Sequence, residues 1–338
     1  MFERYSRQLL FPGIQEKGQR LLADKRVLII GVGALGTGNA EILVRSGVGH
    51  ITIVDRDYVE WSNLQRQQLF TEKDAENRTP KAIAAKERLE EVNGDITIDA
   101  HIVDITPAEM EEFAEEVDLI MDATDNFEIR MIINDAAQKY DVPWIYGSIV
   151  ASYGISFTII PGESPCLHCL MEDIPIGGLT CDTGGVISPV VQLVVGYQTT
   201  EALKILTENK KQLRRELLSF DVWENHHSSI NVNKMKKDSC LSCGTKPVYP
   251  FLSQKEQTKT EVLCGRDTVQ IRPPFKEDCD LETIAAHLAP LGTVEQNAFL
   301  LQFQTDQSRF VLFKDGRVLI HGTNDAQEAR SLYHKFLG

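Results

Sequence analysis

Two residue patterns in this 338-residue chain can carry chemistry. The first is a pair of CxxC motifs, Cys166-Leu167-His168-Cys169 and Cys240-Leu241-Ser242-Cys243. Four thiolates suit a tetrahedral Zn²⁺ site, which is structural because no coordination position stays open. The gap between the pairs is far longer than in a zinc finger, so the metal would tie distant chain segments together. A redox role is the alternative for one CxxC, but two of them favour metal. His168, between two ligands, reads as a bystander. The second pattern is Gly31-Val32-Gly33-Ala34-Leu35-Gly36, with Asp55 closing the next apolar run. Between a strand and a helix, the backbone N–H groups of Gly31, Gly33, Ala34 and Gly36 favour an anion, and Asp55 can hold ribose hydroxyls. A tight turn with no ligand is the plain alternative. On its own the loop does not separate a nicotinamide dinucleotide from ATP.

The residues that follow do separate them. Trp61-Ser62-Asn63-Leu64-Gln65-Arg66-Gln67 comes soon after Asp55 and Asp57. A dehydrogenase has no use for Asn and Arg there, whereas a triphosphate does. Arg66 supplies a forked donor and Asn63 an amide. Lys81 adds a point charge toward the tail of the nucleotide. Asp122-Ala123-Thr124-Asp125-Asn126 lies between a buried strand and a helix, at the sheet edge where such folds bind ligands. Asp125 is placed to hold Mg²⁺ against phosphate oxygens; helix capping is the competing role. Asp57 and Asn126 join the nucleotide-binding set, and Asp122 reads as a structural or helix-entry residue.

The elements that must position these groups alternate. Strands at 26–30, 51–54, 96–103, 118–121 and 143–146 are separated by helical patterns, two of them opened by Thr79-Pro80 and Thr106-Pro107, with each Thr as cap. This predicts an α/β fold with a doubly wound, Rossmann-like, mostly parallel sheet. The run 155–160 has no crossover helix before it, so antiparallel additions are expected. A long helix over 188–206 and strands at 217–222 and 229–235 lead to Cys240. The expected organisation is a nucleotide-binding domain over 1–252, a polar linker over 253–260, and a small α+β module of unknown role over 261–338. In that module a hairpin turns at Asp315-Gly316.

Taken in order, Arg4-Tyr5-Ser6-Arg7-Gln8, the glycine loop, Asp55-x-Asp57, Ser62 to Gln67, Pro80-Lys81 and Ala123 to Asn126 resemble the ThiF/MoeB branch of the ubiquitin-activating enzyme superfamily. The resemblance covers roughly residues 1–250. It implies that ATP and Mg²⁺ activate the C-terminal Gly-Gly carboxylate of a ubiquitin-like sulfur-carrier protein as an acyl-adenylate. The molybdopterin synthase small subunit and the thiamine sulfur carrier are both candidate substrates. It also implies zinc at the four cysteines and a homodimer whose Arg7 crosses to the partner's nucleotide. Asp125 and Arg66 are then catalytic, with Arg7.

Cys181 stands in a glycine-rich stretch, 177–185, where a thiol can act as nucleophile or carry sulfur from a donor protein. Cys264 and Cys279 read as packing residues. Cys264-Gly265-Arg266-Asp267 suggests a rhodanese-type loop, but the module is too short and lacks the alternation. The net charge of −14 and the lack of a basic cluster exclude a nucleic-acid partner. With no membrane-length apolar run and no secretory leader, a cytoplasmic enzyme is expected, and seven cysteines are not a disulfide framework there. Two rivals share part of the pattern. A nicotinamide-dependent oxidoreductase leaves 62–67, Lys81 and Asp125 unexplained. A non-catalytic scaffold leaves the intact site set unexplained.

Overall fold

The computed structural model describes residues 3–173, 184–253, 259–263, 267–272, 279–305 and 308–337. Cys181 and Cys264 fall outside these residues. The chain divides into two compact units, the larger formed from most of residues 1–254 and the smaller mainly from 255–338.

In the larger unit, α1 (Ser6–Leu9) and α2 (Gln15–Asp24) precede β1 (Arg26–Ile30). There follow α3 (Ala34–Ser46), β2 (His50–Asp55), α4 (Glu72–Glu76), α5 (Lys81–Val92), β3 (Thr97–Ile102), α6 (Pro107–Ala114), β4 (Leu119–Asp122) and α7 (Phe127–Lys139). The chain continues through β5 (Trp144–Val150), β6 (Tyr153–Ile159), α8 (Leu167–Asp173), α9 (Ser188–Leu206), β7 (Glu216–Asp221) and β8 (His226–Asn231). The strands form one sheet in the order β3-β2-β1-β4-β5-β6-β7-β8. β1 to β5 run parallel, and β6, β7 and β8 add antiparallel, as the missing crossover before 155 implies.

The short apolar strand runs are explained by burial on both faces. Val27 and Ile29 of β1 enter a core with Leu43 of α3, Leu89 of α5 and Val194 of α9. Leu28 and Ile30 enter the opposite core with Met110 of α6 and Ile133 of α7. A period of two thus feeds two helix layers. Because β1 lies between β2 and β4, the strand order reverses there, and a crevice opens beyond the C-terminal ends of β1 and β4.

The smaller unit contains β9 (Lys259–Leu263), β10 (Thr268–Arg272), α10 (Leu281–Leu288), β11 (Thr293–Gln296), β12 (Leu300–Gln304), β13 (Arg309–Phe313), β14 (Val318–His321) and α11 (Ala326–Phe336). Its sheet, ordered β11-β12-β13-β14-β10-β9, is antiparallel throughout. Val269, Phe303, Phe310 and Ile320 pack against Leu281, Leu288 and Ala329 of the two helices. The β13–β14 turn contains Gly316 at φ +81°, a left-handed position that glycine takes without strain.

Three sequence expectations are corrected. β9 begins at Lys259, inside the span read as linker, because an edge strand is held by backbone pairing and needs no apolar signal. The last strand of the larger sheet is 226–231 rather than 229–235; Asn233–Met235 is a 3-10 turn. Thr79 does not cap α5. Its carbonyl accepts the Val59 N–H at 2.9 Å, and the Lys81 N–H donates to the Asp57 carbonyl at 2.9 Å. This extended pairing carries on through Pro80, so the helix starts one residue later. Thr106 does cap α6, in a capping box with Glu109. Among the described residues no helix is long and apolar enough to cross a membrane.

Candidate active site and metal centre

The glycine loop fills the turn from β1 into α3. Gly31 has φ +88°, and a Cβ there would lie 2.7 Å from the Ala123 carbonyl oxygen. At Gly36 a Cβ would lie 1.9 Å from the Gly31 carbonyl oxygen. These two glycines are required by the protein's own packing. Gly33 is different: a Cβ there would meet only Gln67 Nε2, at 3.8 Å. Its bareness leaves a cradle at the α3 N-terminus, where backbone N–H groups and the helix dipole favour an anion. The Gly36→Ala variant is therefore expected to lose about 1–3 kcal/mol of stability or to fail to fold. Gly33→Ala is expected to melt like the parent yet bind ATP at least ~10-fold more weakly, because a methyl occupies the phosphate approach. Melting curves and calorimetric titration of both variants check this.

Asp55, at the end of β2, is 9 % exposed. Its carboxylate accepts the Val32 N–H at 2.6 Å and the Asp57 N–H at 2.7 Å, so it anchors the glycine loop. Each oxygen keeps a second lone pair for a ribose hydroxyl. Burial pushes its carboxyl above the ordinary range, with Lys81 working in the opposite direction. Lys81 Nζ lies 3.3 Å from Asp57 Oδ2 and is buried, so the two groups enter the site as a pair.

Asn63 is fully buried in the short turn after β2. Its Oδ1 accepts the Glu60 N–H at 3.0 Å, and its Nδ2 has no hydrogen-bond partner. Gln67, one turn on, is 4 % exposed, and its Oε1 is also unpartnered. Buried amide atoms are nearly always satisfied, so two such atoms without a partner among the described residues, one of them on the Gln67 amide that faces Gly33, fit a bound polar ligand. Arg66 is half-buried, with Nη1 donating to the Ser62 carbonyl at 2.8 Å.

The loop after β4 completes the crevice. Ala123 N–H donates to the Ile30 carbonyl at 2.9 Å, which holds this loop against the glycine loop. Asn126, not Asp125, caps α7 by accepting the Ile129 N–H at 3.2 Å. Asp125 is exposed. Asp122 is fully buried and structural: its carboxylate accepts from Arg130 Nε at 3.1 Å and from the Thr124 N–H at 3.0 Å. Arg130 also donates to the Thr124 carbonyl at 2.6 Å and the Gly147 carbonyl at 3.2 Å. Burial opposes its charge most strongly, but the charges of Asp122, Tyr146 and Asp125 and the hydrogen bond to Asp122 together more than offset this and hold the guanidinium above its ordinary range. The sequence reading missed Arg130. Its only signal is an Arg within the apolar run Ile129 to Ile133 of that helix.

Arg7 is not brought to this crevice within one chain. It is exposed on α1, whose Gln8 donates to the Ser46 carbonyl at 2.8 Å, at the far end of α3 from the glycine loop. A helix of 13 residues places those ends about 20 Å apart.

The four cysteines do come together. Cys166, Cys169, Cys240 and Cys243 place their sulfurs within 4.8 Å of one another. Cys166 and Cys240 are 3.6 Å apart, and Cys169 and Cys243 are 3.5 Å apart. These spacings are too long for disulfides and near the edge of about 3.8 Å that Zn–S bonds of about 2.3 Å give a tetrahedron. Hydrogen bonds from Cys166 and Cys243 hold the Cys169 thiol far below its usual range, while the same contacts push Cys166 far above. A divalent cation resolves that conflict by binding all four as thiolates. His168 is outside the cluster, with Nδ1 3.1 Å from Ser242 Oγ. Helix α7 braces the site: Asn134 accepts the Leu167 N–H and Asp135 the Phe251 N–H, both at 2.8 Å.

The ThiF family signature matches residues 5–243. The sulfur carrier protein ThiS adenylyltransferase of Bacillus subtilis (strain 168) is 51 % identical over 339 residues, covering 100 % of both chains. The molybdopterin-synthase adenylyltransferase of Escherichia coli (strain K12) is 33 % identical, covering 71 % of this chain and 96 % of its own. Among solved structures, E. coli MccB bound to a MccA derivative superposes with a TM-score of 0.63 at 22 % identity, over 72 % of this chain and 75 % of that one, a likeness of fold. On the full-length identity and the matched signature, the chain belongs to the ThiF family.

Proposed function

We propose that this chain is an ATP-dependent adenylyltransferase that activates the C-terminal carboxylate of a ubiquitin-like sulfur-carrier protein. The observation that carries the reading is the crevice beyond β1 and β4. It combines a bare Gly33 cradle with two unpartnered buried amide atoms, in a chain 51 % identical end to end to a ThiS adenylyltransferase. A carboxylate oxygen of the carrier attacks the α-phosphorus of ATP. The bond from that phosphorus to the bridging oxygen breaks, and pyrophosphate leaves. Negative charge gathers in the transition state, so catalysis is positioning plus cationic stabilisation. Arg66 and Lys81 face the phosphates, Asn63 donates to them, and Asp55 holds the ribose. Asp125 and Asn126 flank the metal position; Mg²⁺, when bound there, neutralises phosphate oxygens.

Arg7 acts in trans in this reading, in a cytoplasmic homodimer, because its own crevice lies a helix length away. Zinc at the four cysteines is structural. In the step that follows, the Cys181 thiolate is the proposed nucleophile: it attacks the acyl carbon of the adenylate, the acyl–phosphate bond breaks and AMP leaves, and hydrosulfide supplied by a donor protein then displaces the Cys181 thiol from the thioester to leave the thiocarboxylate.

The full-length match favours the thiamine carrier over the molybdopterin synthase small subunit. The test incubates the purified chain with ATP, Mg²⁺ and each carrier, and follows pyrophosphate exchange and carrier mass. The expected result is exchange and an AMP-sized mass gain with the thiamine-type carrier. No exchange with either carrier would end the adenylation reading.

A further inference from the structure

Strands β4 and β5 pair only through Ile120 with Trp144 and Met121 with Ile145, and then part. Two side chains span the fork, Gln198 and Arg130. Gln198 of α9 is fully buried, and its Nε2 donates to the Asp122 carbonyl at 2.9 Å and to the Ile145 carbonyl at 3.2 Å. Each strand thus contributes one acceptor to the same amide nitrogen. Gly147 leaves room for it: a Cβ there would lie 2.4 Å from that nitrogen. The other end of the amide is also engaged. Gln198 Oε1 accepts from Asn39 Nδ2 at 2.9 Å, and Asn39 is fully buried in α3, the helix that begins at the glycine loop. Arg130 grips the same fork through Asp122, Thr124 and Gly147 and, among the described residues, makes no hydrogen bond to α3.

The chain Asn39–Gln198–Asp122 therefore joins the helix that follows the glycine loop to the end of β4, from which residues 123–126 lead off. We propose that Gln198 is a positioning residue of the nucleotide site. It holds the β4 end, and with it Ala123 to Asn126, in fixed register to the glycine-loop helix. A polar residue in the buried stripe of α9, among Val191, Val194, Val195, Ala202 and Ile205, has no packing advantage over leucine there. Its place there is explained by the carbonyls it aligns. Small displacements of groups that bind a triphosphate have large effects on rate.

The experiment uses the full chain with Gln198→Met, which keeps an unbranched side chain of similar size and removes every donor, and with Asn39→Leu, which cuts only the tether to α3. Calorimetry measures ATP affinity with Mg²⁺, and carrier-dependent exchange gives kcat and KM. Gln198→Met is expected to weaken ATP·Mg²⁺ binding and lower kcat by about tenfold each, with KM for the carrier within about twofold; Asn39→Leu is expected to show the same pattern at about threefold. A merely structural Gln198 would lower the melting temperature and leave these constants alone. A folded Gln198→Met with parental ATP·Mg²⁺ affinity overturns the proposal. If that variant does not fold, parental affinity in Asn39→Leu overturns it. The kcat arm rests on the adenylation reading, but the affinity arm does not. A parent chain that binds ATP·Mg²⁺ without any exchange would sink adenylation while still testing Gln198.

Discussion

Asp125→Ala is expected to lower carrier-dependent ATP–pyrophosphate exchange by at least about 10²-fold, the usual loss when one preorganised charge-stabilising group is removed. The protein should otherwise be unperturbed. Asn126 provides the cap of α7, and Asp125 is exposed, so its removal is expected to change stability by no more than about 0.5 kcal/mol. That separation makes the variant informative: activity is lost in a chain that melts like the parent. Raising Mg²⁺ should recover part of the rate if the remaining phosphate and Asn126 oxygens still bind the ion weakly. Arg7→Ala should show a similar rate loss for a different reason, since its crevice belongs to the partner copy. Mixing the two inactive variants then regenerates, in each mixed dimer, one site with both an Arg7 and an Asp125, and activity returns toward about a quarter of the parent, as statistical pairing of subunits allows. Full exchange by Asp125→Ala would remove it from the metal position. Mixtures that stay inactive would place Arg7 outside the partner's site.

Metal removal is the second large effect, and it falls on stability rather than chemistry. The purified chain is expected to carry one zinc, and Cys240→Ser or a strong chelator to release it. The cluster joins residues 74 apart in sequence, so its loss frees both the segment after β6 and the one after β8. Structural zinc contributes free energy on the order of 10 kcal/mol in finger peptides. Here the larger unit has two apolar cores of its own, and one of them takes in Leu167, Leu170 and Val232 from those two segments, while Asn134 and Asp135 hold their ends as well. A loss of a few kcal/mol is expected, which for a unit of this size lowers the melting temperature by about 10 °C. ATP affinity at low temperature should change little. Asp135 sits nine residues into α7 beyond Asn126, about 13 Å along the helix. Metal analysis and calorimetric melting check the pair of outcomes. A Cys240→Ser chain that keeps both its zinc and its melting temperature would show that this cluster is not the site.

These effects differ in how far they were visible beforehand. The glycine loop could be read directly, because Gly31 and Gly36 answer steric demands set within a few residues by a strand–turn–helix passage. The two CxxC pairs could be read because thiolate chemistry is rare and its spacing is diagnostic. Alternating short apolar runs announced the parallel sheet, since strands buried on both faces need no polar alternation. The Thr79 cap was misjudged because pairing with residues 57–59 outweighed a local propensity. β9 was invisible for a related reason: an edge strand takes its hydrogen bonds from β10 and not from its own composition.

By itself, then, the sequence determined the sheet class, the glycine turn, the four-cysteine cluster and the family. Each depends on residue types acting over a few positions or on chemistry only cysteine and glycine supply. Tertiary structure decided which polar groups answer one another. It gave the helix cap to Asn126 and left Asp125 exposed, turned Asp122 inward to Arg130, and set Arg7 a helix length from its own crevice. It also brought Gln198 to carbonyls 76 and 53 residues away. A glutamine or arginine carries no signature of such a partner, because its hydrogen bonds depend on distance in space, and the fold alone sets that distance.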